Sequence, residues 1–535
     1  MKILLRGGNI VDGTGAPAFV GDVLIEGEKI LSVAPTIEQQ ADQVVDCFGL
    51  YVCPGFIDAH SHNDFYIDKN NPEKYFQPFI KQGITTQVTG NCGFSPFGVS
   101  AESAYKDNLG GALFHAGDAG SFRSFIEKFR DSLPVNIAPL IGHGSVRTGI
   151  SGSAAEPLSN QQLEQMQAHV EEAMELGAIG GSLGLMYEPG IFAPHDELVA
   201  FSKQVAKHGG ILTVHPRACS KIAMGYPLLF SKPHIEIALD EVVKIASEAG
   251  VKLHYSHLIH VGRATWKFSD KMLEKLHKLG ITYDIYAFCH GASVITVILP
   301  AWYLGLPPEK RSSKFTLFKL KLIINITRKL LGMDFDDFTV ADMGPEYTQY
   351  QGKNIAQLAQ QSGVSKIDKY IELVNASNGT ARLIIGSYNN EQIVGKLMDD
   401  ELSMLMTDAW VEETGVQNSA CFQCFPRFLI KAKELKLPVE KIVHKMTGKT
   451  AERFELPGRG ELRPGYFADI TVFDYDKLSV NPEVPDESPE GFRLVMINGK
   501  TVLEDGKYTP APCGQFVLRK VGETGMPQAS KEAVL

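Results

Sequence analysis

Apolar and polar positions follow two different rhythms along the chain. At both ends the pattern is that of β-strands. Ile3-Leu4-Leu5 leads to a turn at Asp12-Gly13, and residues 22–33 read as a hairpin. Near the other end residues 467–473 read as a strand. Residues 494–503 read as a hairpin centred on Asn498-Gly499, a dipeptide that favours the positive φ of a type I′ turn. Neither end holds enough residues for a sturdy core of its own. The pattern therefore predicts one β-sandwich built from both ends of the chain, residues 1–54 and 455–535.

Between them, short apolar runs alternate with segments of helical period such as 161–176 and 239–249. Eight strand candidates follow in order: 56–62, 84–92, 135–143, 178–187, 210–217, 251–259, 281–290 and 401–410. Eight such units predict an α/β fold, a (β/α)8 TIM-type barrel over residues 55–454. The spacing fails once, between the seventh and eighth strands. That gap predicts a small insertion after strand seven, a subdomain or lid over residues 291–345. It contains an amphipathic, locally basic segment, 311–333, with Lys314, Lys319, Lys321, Arg328 and Lys329. This segment reads as a solvated helix rather than a membrane-surface or partner helix. The apolar stretch 288–302 fits two readings equally, an acyl pocket or packing beneath the insertion.

Composition narrows the class without naming a ligand. At 535 residues, 44% apolar and 21% charged, the chain can bury a large core. A net charge of −10 argues against a general nucleic-acid binder. The opening apolar run is too short for a secretory signal, and no uncharged stretch is long enough to cross a bilayer. Eight cysteines without framework spacing read as mostly reduced and buried, which makes a cytoplasmic location the expectation. Cys421 and Cys424 form a lone C-x-x-C and read as structural.

The chemistry emerges when titratable residues are placed on the predicted strands. Barrel enzymes keep their chemistry at the C-terminal strand ends. His60 and His62 end strand one, Cys92 ends strand two, His215 ends strand five, and His257 and Asp408 lie near the ends of strands six and eight. Two histidines two residues apart on a strand face the same side. Thiolate and imidazole ligands together suit zinc, so Cys92, His215 and His257 form a candidate tight site with one position open to water. Zinc lowers the pKa of such a water from about 15.7 toward 7. Asp408 can accept its proton and pass it to a leaving nitrogen. Asp58 reads as a structural carboxylate at the strand start. His143, in Gly142-His143-Gly144, is a candidate substrate contact, with a structural role as the equal alternative.

These residues sit within longer motifs. Pro54-Gly55-Phe56-Ile57-Asp58-Ala59-His60-Ser61-His62 resembles the strand-one motif of the amidohydrolase superfamily. Gly83-Ile84-Thr85-Thr86 followed by Gly90-Asn91-Cys92-Gly93 is similar to the motif of its D-aminoacylase (N-acyl-D-amino-acid deacylase) group, where the cysteine is a zinc ligand. The stretch from Gly180-Gly181-Ser182 to Tyr187-Glu188-Pro189-Gly190, together with Ser256-His257, Phe425-Pro426-Arg427 and Met446-Thr447-Gly448, also resembles that group. So does the closing Arg459-Gly460 with Gly465-Tyr466-Phe467-Ala468-Asp469.

The resemblance spans almost the whole chain. It implies zinc-dependent hydrolysis of a linear amide in a small molecule, most simply an N-acyl-D-amino acid. It implies zinc at Cys92, His215 and His257, a second, weaker or empty position near His60, His62 and Asp408, and Asp408 as the acid/base. It also implies Tyr187 as a contact to the substrate carboxylate. The sequence departs from the group in three places. A lysine usual two residues after the strand-six histidine is Ile259. A His-Pro-Arg segment is replaced within Gln417-Asn418-Ser419-Ala420-Cys421-Phe422, and the glycine after the catalytic aspartate is Ala409. Arg217 or Arg263 is then the candidate replacement cation, or the substrate lacks an α-carboxylate. Two other functions compete. A cyclic-amide hydrolase of the hydantoinase or dihydroorotase kind usually carries a carboxylated lysine on strand four, and residues 178–189 contain no lysine. A non-catalytic scaffold would be expected to have lost ligands that are all present here.

Overall fold

The computed structural model describes residues 1–69, 71–100, 102–105, 109, 114, 120–223, 225–226 and 232–520. All eight predicted barrel strands are present. They are β1 (Phe56–Asp58), β2 (Ile84–Thr89), β3 (Asn136–Gly142), β4 (Gly180–Gly184), β5 (Ile211–His215), β6 (Lys252–Tyr255), β7 (Thr282–Ile285) and β8 (Ser403–Leu405). They pair in parallel in chain order from β1 to β8. The ring closes through backbone bonds from Ala59 to Leu405 (3.3 Å) and from Asp408 to His60 (2.9 Å).

Most strands are shorter than their apolar runs because the chain leaves the ladder at the functional end. Cys92 (φ 53°), His257 (φ 34°) and Asp408 (φ 50°) all adopt left-handed backbone there. Such conformations are costly for a non-glycine residue and persist where surrounding structure enforces them, commonly at functional sites.

The helices follow local sequence signals. The helix Asn160–Glu175 opens with a capping box between Ser159 and Gln162, which satisfies backbone N–H groups that the first turn would leave without partners. The helix His234–Ala249 ends on Gly250 at φ 67°, a conformation that suits glycine.

The two chain ends share one nine-stranded sheet, in which Tyr51–Pro54 pairs with Ile470–Phe473. Ile3, Val23, Ile30, Ile470 and Leu494 pack in its common core. Asn498 and Gly499 take positive φ (48° and 76°), as the turn prediction requires. Asp469 of the closing motif ties this sheet to the barrel. It pairs with Arg459 and accepts from the Asn498 backbone (2.8 Å) and from Asn136 Nδ2 at the start of β3 (3.1 Å).

The insertion is larger than the spacing predicts. Gly291–Val294 pairs with Arg382–Ile385, which in turn pairs with Phe338–Asp342, in an antiparallel sheet separate from the barrel. The inserted unit therefore extends to Ile385 instead of ending at residue 345. Its last strand, four residues long, is too short for periodicity to separate it from a barrel element.

Candidate metal centre

The six predicted metal-site residues converge at the C-terminal mouth of the barrel. Cys92 lies at the junction of two groups. Its Sγ is 3.5 Å from His215 Nδ1, 3.5 Å from His257 Nε2 and 3.3 Å from His60 Nε2. Asp408 Oδ1 faces the other side of the first pair of histidines, 3.3 Å from His60 Nε2 and 3.6 Å from His62 Nε2. In each of the sets Cys92/His215/His257 and His60/His62/Cys92/Asp408, the ligand atoms lie within 4.8 Å of one another. Cys92 belongs to both.

The loop carrying Cys92 is seated by small residues of β4. A Cβ on Gly184 would fall 1.9 Å from the Cys92 carbonyl oxygen, so any larger residue would displace the ligand loop. Ser182 Oγ accepts from the Gly93 backbone (2.9 Å) and donates to the Gly90 carbonyl. Thr213 of β5 donates to Asn91 Oδ1 (3.1 Å). The glycine-rich β4 motif thus shapes the ground on which the cysteine loop rests.

Electrostatics favour the ligand form at Cys92, His215 and Asp408. Burial alone would raise the Cys92 thiol pKa, but His60 and His215 beside it pull it well below the usual range. Burial and the neighbouring His257 bring His215 down to about 4, leaving a neutral imidazole at pH 7. Burial opposes ionisation of Asp408 too, yet His60, His62 and His257 hold it at about 2. The Asp408 side chain is 25% exposed, against 0% for His60 and 4% for His62, so it is the one of the three open to a ligand. Burial opposes protonation of His60 and His257 as well, but Cys92 and Asp408 beside them push both imidazoles up, His60 to about 10. A buried thiolate, several imidazoles and an accessible carboxylate make a donor set that fits zinc.

Asp284, at the end of β7, was not singled out by sequence reasoning. Its Oδ2 lies 3.4 Å from His60 Nδ1 and 3.0 Å from His254 Nε2, and its Oδ1 accepts from the His257 backbone. Its carboxyl is held well below the ordinary range, against the effect of burial, by His60 and His254. A carboxylate facing His60 Nδ1 favours a proton there and leaves Nε2 to face the site, the usual task of a carboxylate behind a ligating histidine. An acidic residue at the strand end, in Tyr283-Asp284-Ile285, was the available signal. Asp284→Asn should weaken metal binding about 10–100-fold. Competition with a chelator measures this, and an unchanged affinity would dismiss the orienting role.

Asp58 is buried at the end of β1 rather than at its start, accepting from the Thr407 backbone (2.9 Å) and Thr407 Oγ1 (2.6 Å), which ties β1 to the segment after β8. His143 departs from the candidate role of substrate contact. Its Nε2 is 2.9 Å from Glu197 Oε1, fully buried, and the residue does not line the cavity over the metal-site residues. Cys421 and Cys424 are both buried, with Sγ–H groups directed to the carbonyls of Trp410 and Met406.

That cavity, of about 300 Å³, has His215, His257 and Asp408 at one end and Leu299, Ile324 and Phe338 of the insertion at the other. Tyr187 lines it, its ring centre 4.6 Å from that of His215. Arg217 lines it too, but its Nε is bound to both oxygens of Glu241 (3.0 and 3.2 Å). Arg263 is turned away to Asp337 (2.8 Å) and is absent from the lining. Ile259 is present in the wall. Of the 288–302 stretch, the strand Gly291–Val294 and the turn Ile295–Ile298 supply wall residues, whereas Phe288 and Trp302 do not.

Comparison with known proteins agrees with this geometry. Residues 429–503 match the amidohydrolase family model. A D-aminoacylase of Alcaligenes xylosoxydans xylosoxydans is 28% identical, the alignment covering 97% of each chain. An N-acyl-D-glutamate deacylase of the same organism is 27% identical over 99% of each. A solved D-aminoacylase structure, described for its binuclear metal centre, superposes with a TM-score of 0.78 at 28% identity, covering 97% of this chain and 99% of that one. With matches over nearly the whole length, the chain is similar to the D-aminoacylases of the amidohydrolase superfamily, and it is a metal-dependent amidohydrolase acting on non-peptide carbon–nitrogen amide bonds.

Proposed function

We propose that this enzyme removes the acyl group from an N-acyl-D-amino acid or a related linear N-acyl compound, with zinc held by Cys92, His215 and His257. The observation that carries the reading is the placement of Cys92 between the two imidazoles, with the Asp408 carboxylate across the same small space. Zinc there would supply Lewis acidity and lower the pKa of water toward about 7. His60 and His62, with Asp408, form a second and weaker position sharing Cys92. Asp408, ionised and open to the cavity, takes a proton from water at Oδ1 and returns it to the leaving nitrogen. Tyr187, and the Arg217 side chain beyond it, are positioned as polar contacts for the amine part. The apolar insertion wall suits the acyl part.

One observation favours a substrate without an α-carboxylate. Ile259 puts an apolar side chain in the wall, and Arg217 is already neutralised by Glu241. A missing charge-assisted bond is worth about 1.5–3 kcal/mol, or roughly 10–150-fold in binding.

Metal analysis coupled to a hydrolysis screen tests the proposal. The panel pairs N-acyl-D-amino acids with their L forms and with uncharged N-acyl amines. Chelation should abolish turnover and zinc should restore it. Turnover of the D forms supports the leading reading, and turnover of uncharged amides alone assigns the carboxylate-free class. Zinc-independent activity would overturn the metal chemistry.

A further inference from the structure

The helix Lys314–Leu331 has two apolar faces, and one of them has nothing to pack against within the described chain. Its inner face carries Ile324, Thr327 and Leu331 in the wall of the substrate cavity. Its outer face exposes Phe315 (78%), Phe318 (67%), Leu322 (51%), Ile326 and Leu330. These five recur at intervals of three or four residues, so they form one stripe along the helix. The expected solvated outer face is therefore largely apolar. The helix contains no acidic residue and has five cationic ones, Lys314, Lys319, Lys321, Arg328 and Lys329. Lys321 and Arg328 are tied down to Asp368 and Asp334, and Lys319 lies over the Trp302 ring (4.2 Å). Lys314 and Lys329 are exposed on the outer side with the stripe.

We propose that this helix docks the enzyme on an anionic membrane surface, lying in the plane of the headgroups with the stripe inserted. Three features point to a bilayer rather than to water. The apolar stripe is rimmed by cations in a protein whose net charge is −10, so positive charge is concentrated where the apolar side chains emerge. An apolar face with lysines beside it is the pattern of interfacial helices, and anionic lipid is its electrostatic complement. No helix among the described residues is long and apolar enough to span a membrane, so the contact is peripheral. The same helix walls the cavity, which places the cavity beside the bilayer and opens it to amphiphiles with long acyl chains. The docking stands apart from the amide chemistry, because the binding test below involves no turnover.

Flotation with phosphatidylcholine vesicles, with and without phosphatidylglycerol, tests it on the full chain. The wild type should float with the anionic vesicles and lose binding as salt rises. The double variant Phe315→Ser/Phe318→Ser should bind them at least about tenfold more weakly. Lys314→Gln/Lys329→Gln should lose the preference for anionic lipid while keeping the fold. These four side chains are exposed and none lines the cavity, so circular dichroism and hydrolysis of a short-chain, water-soluble amide should match the wild type. Wild-type protein that ignores both vesicles, or binds neutral and anionic vesicles alike, would overturn the proposal. So would a wild-type dimer that the phenylalanine variant converts to monomer with no change in vesicle binding, since the stripe would then join two copies.

Discussion

Asp408→Asn is expected to lower kcat for amide hydrolysis by about 10²–10⁴-fold while zinc at Cys92, His215 and His257 stays bound. The carboxylate is ionised at neutral pH because His60, His62 and His257 outweigh the effect of burial and hold it at about 2. An amide of the same shape cannot accept the proton. Asparagine is the right replacement because position 408 has φ 50°, a left-handed conformation that asparagine tolerates better than most residues. The loop should therefore keep its path, and the loss should appear in turnover instead of in folding. Loss of occupancy at the weaker position is expected alongside, since Asp408 is one of its four donors. Measuring kcat with metal content on the same preparation separates these effects. A variant with wild-type turnover would remove Asp408 from the proton transfer.

Glu197→Gln should cost about 3 kcal/mol of stability, read as a lower midpoint of the first unfolding transition. Breaking a buried ion pair from one side typically costs 3–5 kcal/mol, because the remaining charge is stranded. Here the stranded group is Arg147, fully buried, whose Nε donates to Glu197 Oε1 (2.9 Å). Its other nitrogens keep the carbonyls of Ala154 and Glu156 (both 2.8 Å), and glutamine still offers an oxygen, which places the cost at the low end. Burial by itself would raise the Glu197 pKa, but His143 and Arg147 lower it. A carboxyl with a depressed folded-state pKa stabilises fully above its unfolded value, about 4.3, and loses that contribution as pH falls through the folded value. The gap between wild type and variant should therefore be level from pH 8 to pH 5 and narrow only below about 4.3. A gap that narrows near neutrality would mean that Glu197 does not govern the pair. The clamp also supports the metal site. Arg147 and His143 lie on the helix His143–Ser151, whose Ser145 backbone donates to the Gly93 carbonyl beside Cys92 (3.0 Å).

The barrel was legible because each β/α unit announces itself locally, through an apolar run of strand length followed by a helical period. The candidate ligands were picked out by the same reading, and the fold brings them together. His60 and His62 stand at the end of an apolar run; β1 itself stops at Asp58, and both histidines lie in the segment just beyond it. The terminal hairpins were legible from alternation and from Asn498-Gly499. Sequence also marked Asp58 as structural, and it left His143 open between two roles that only its distance to Glu197 separates.

Tertiary structure decided what depends on distant partners. Asp284 matters because β7 brings it under His60, more than two hundred residues earlier in the chain. Arg217 looked like a spare cation until Glu241 was found holding it, and Arg263 until Asp337 was. The end of the insertion was hidden because Arg382–Ile385 gains its identity only by pairing with two remote strands. The outer face of Lys314–Leu331 was misread for a related reason. Periodicity shows that a helix has faces, but only the packed structure shows which of them the rest of the chain covers.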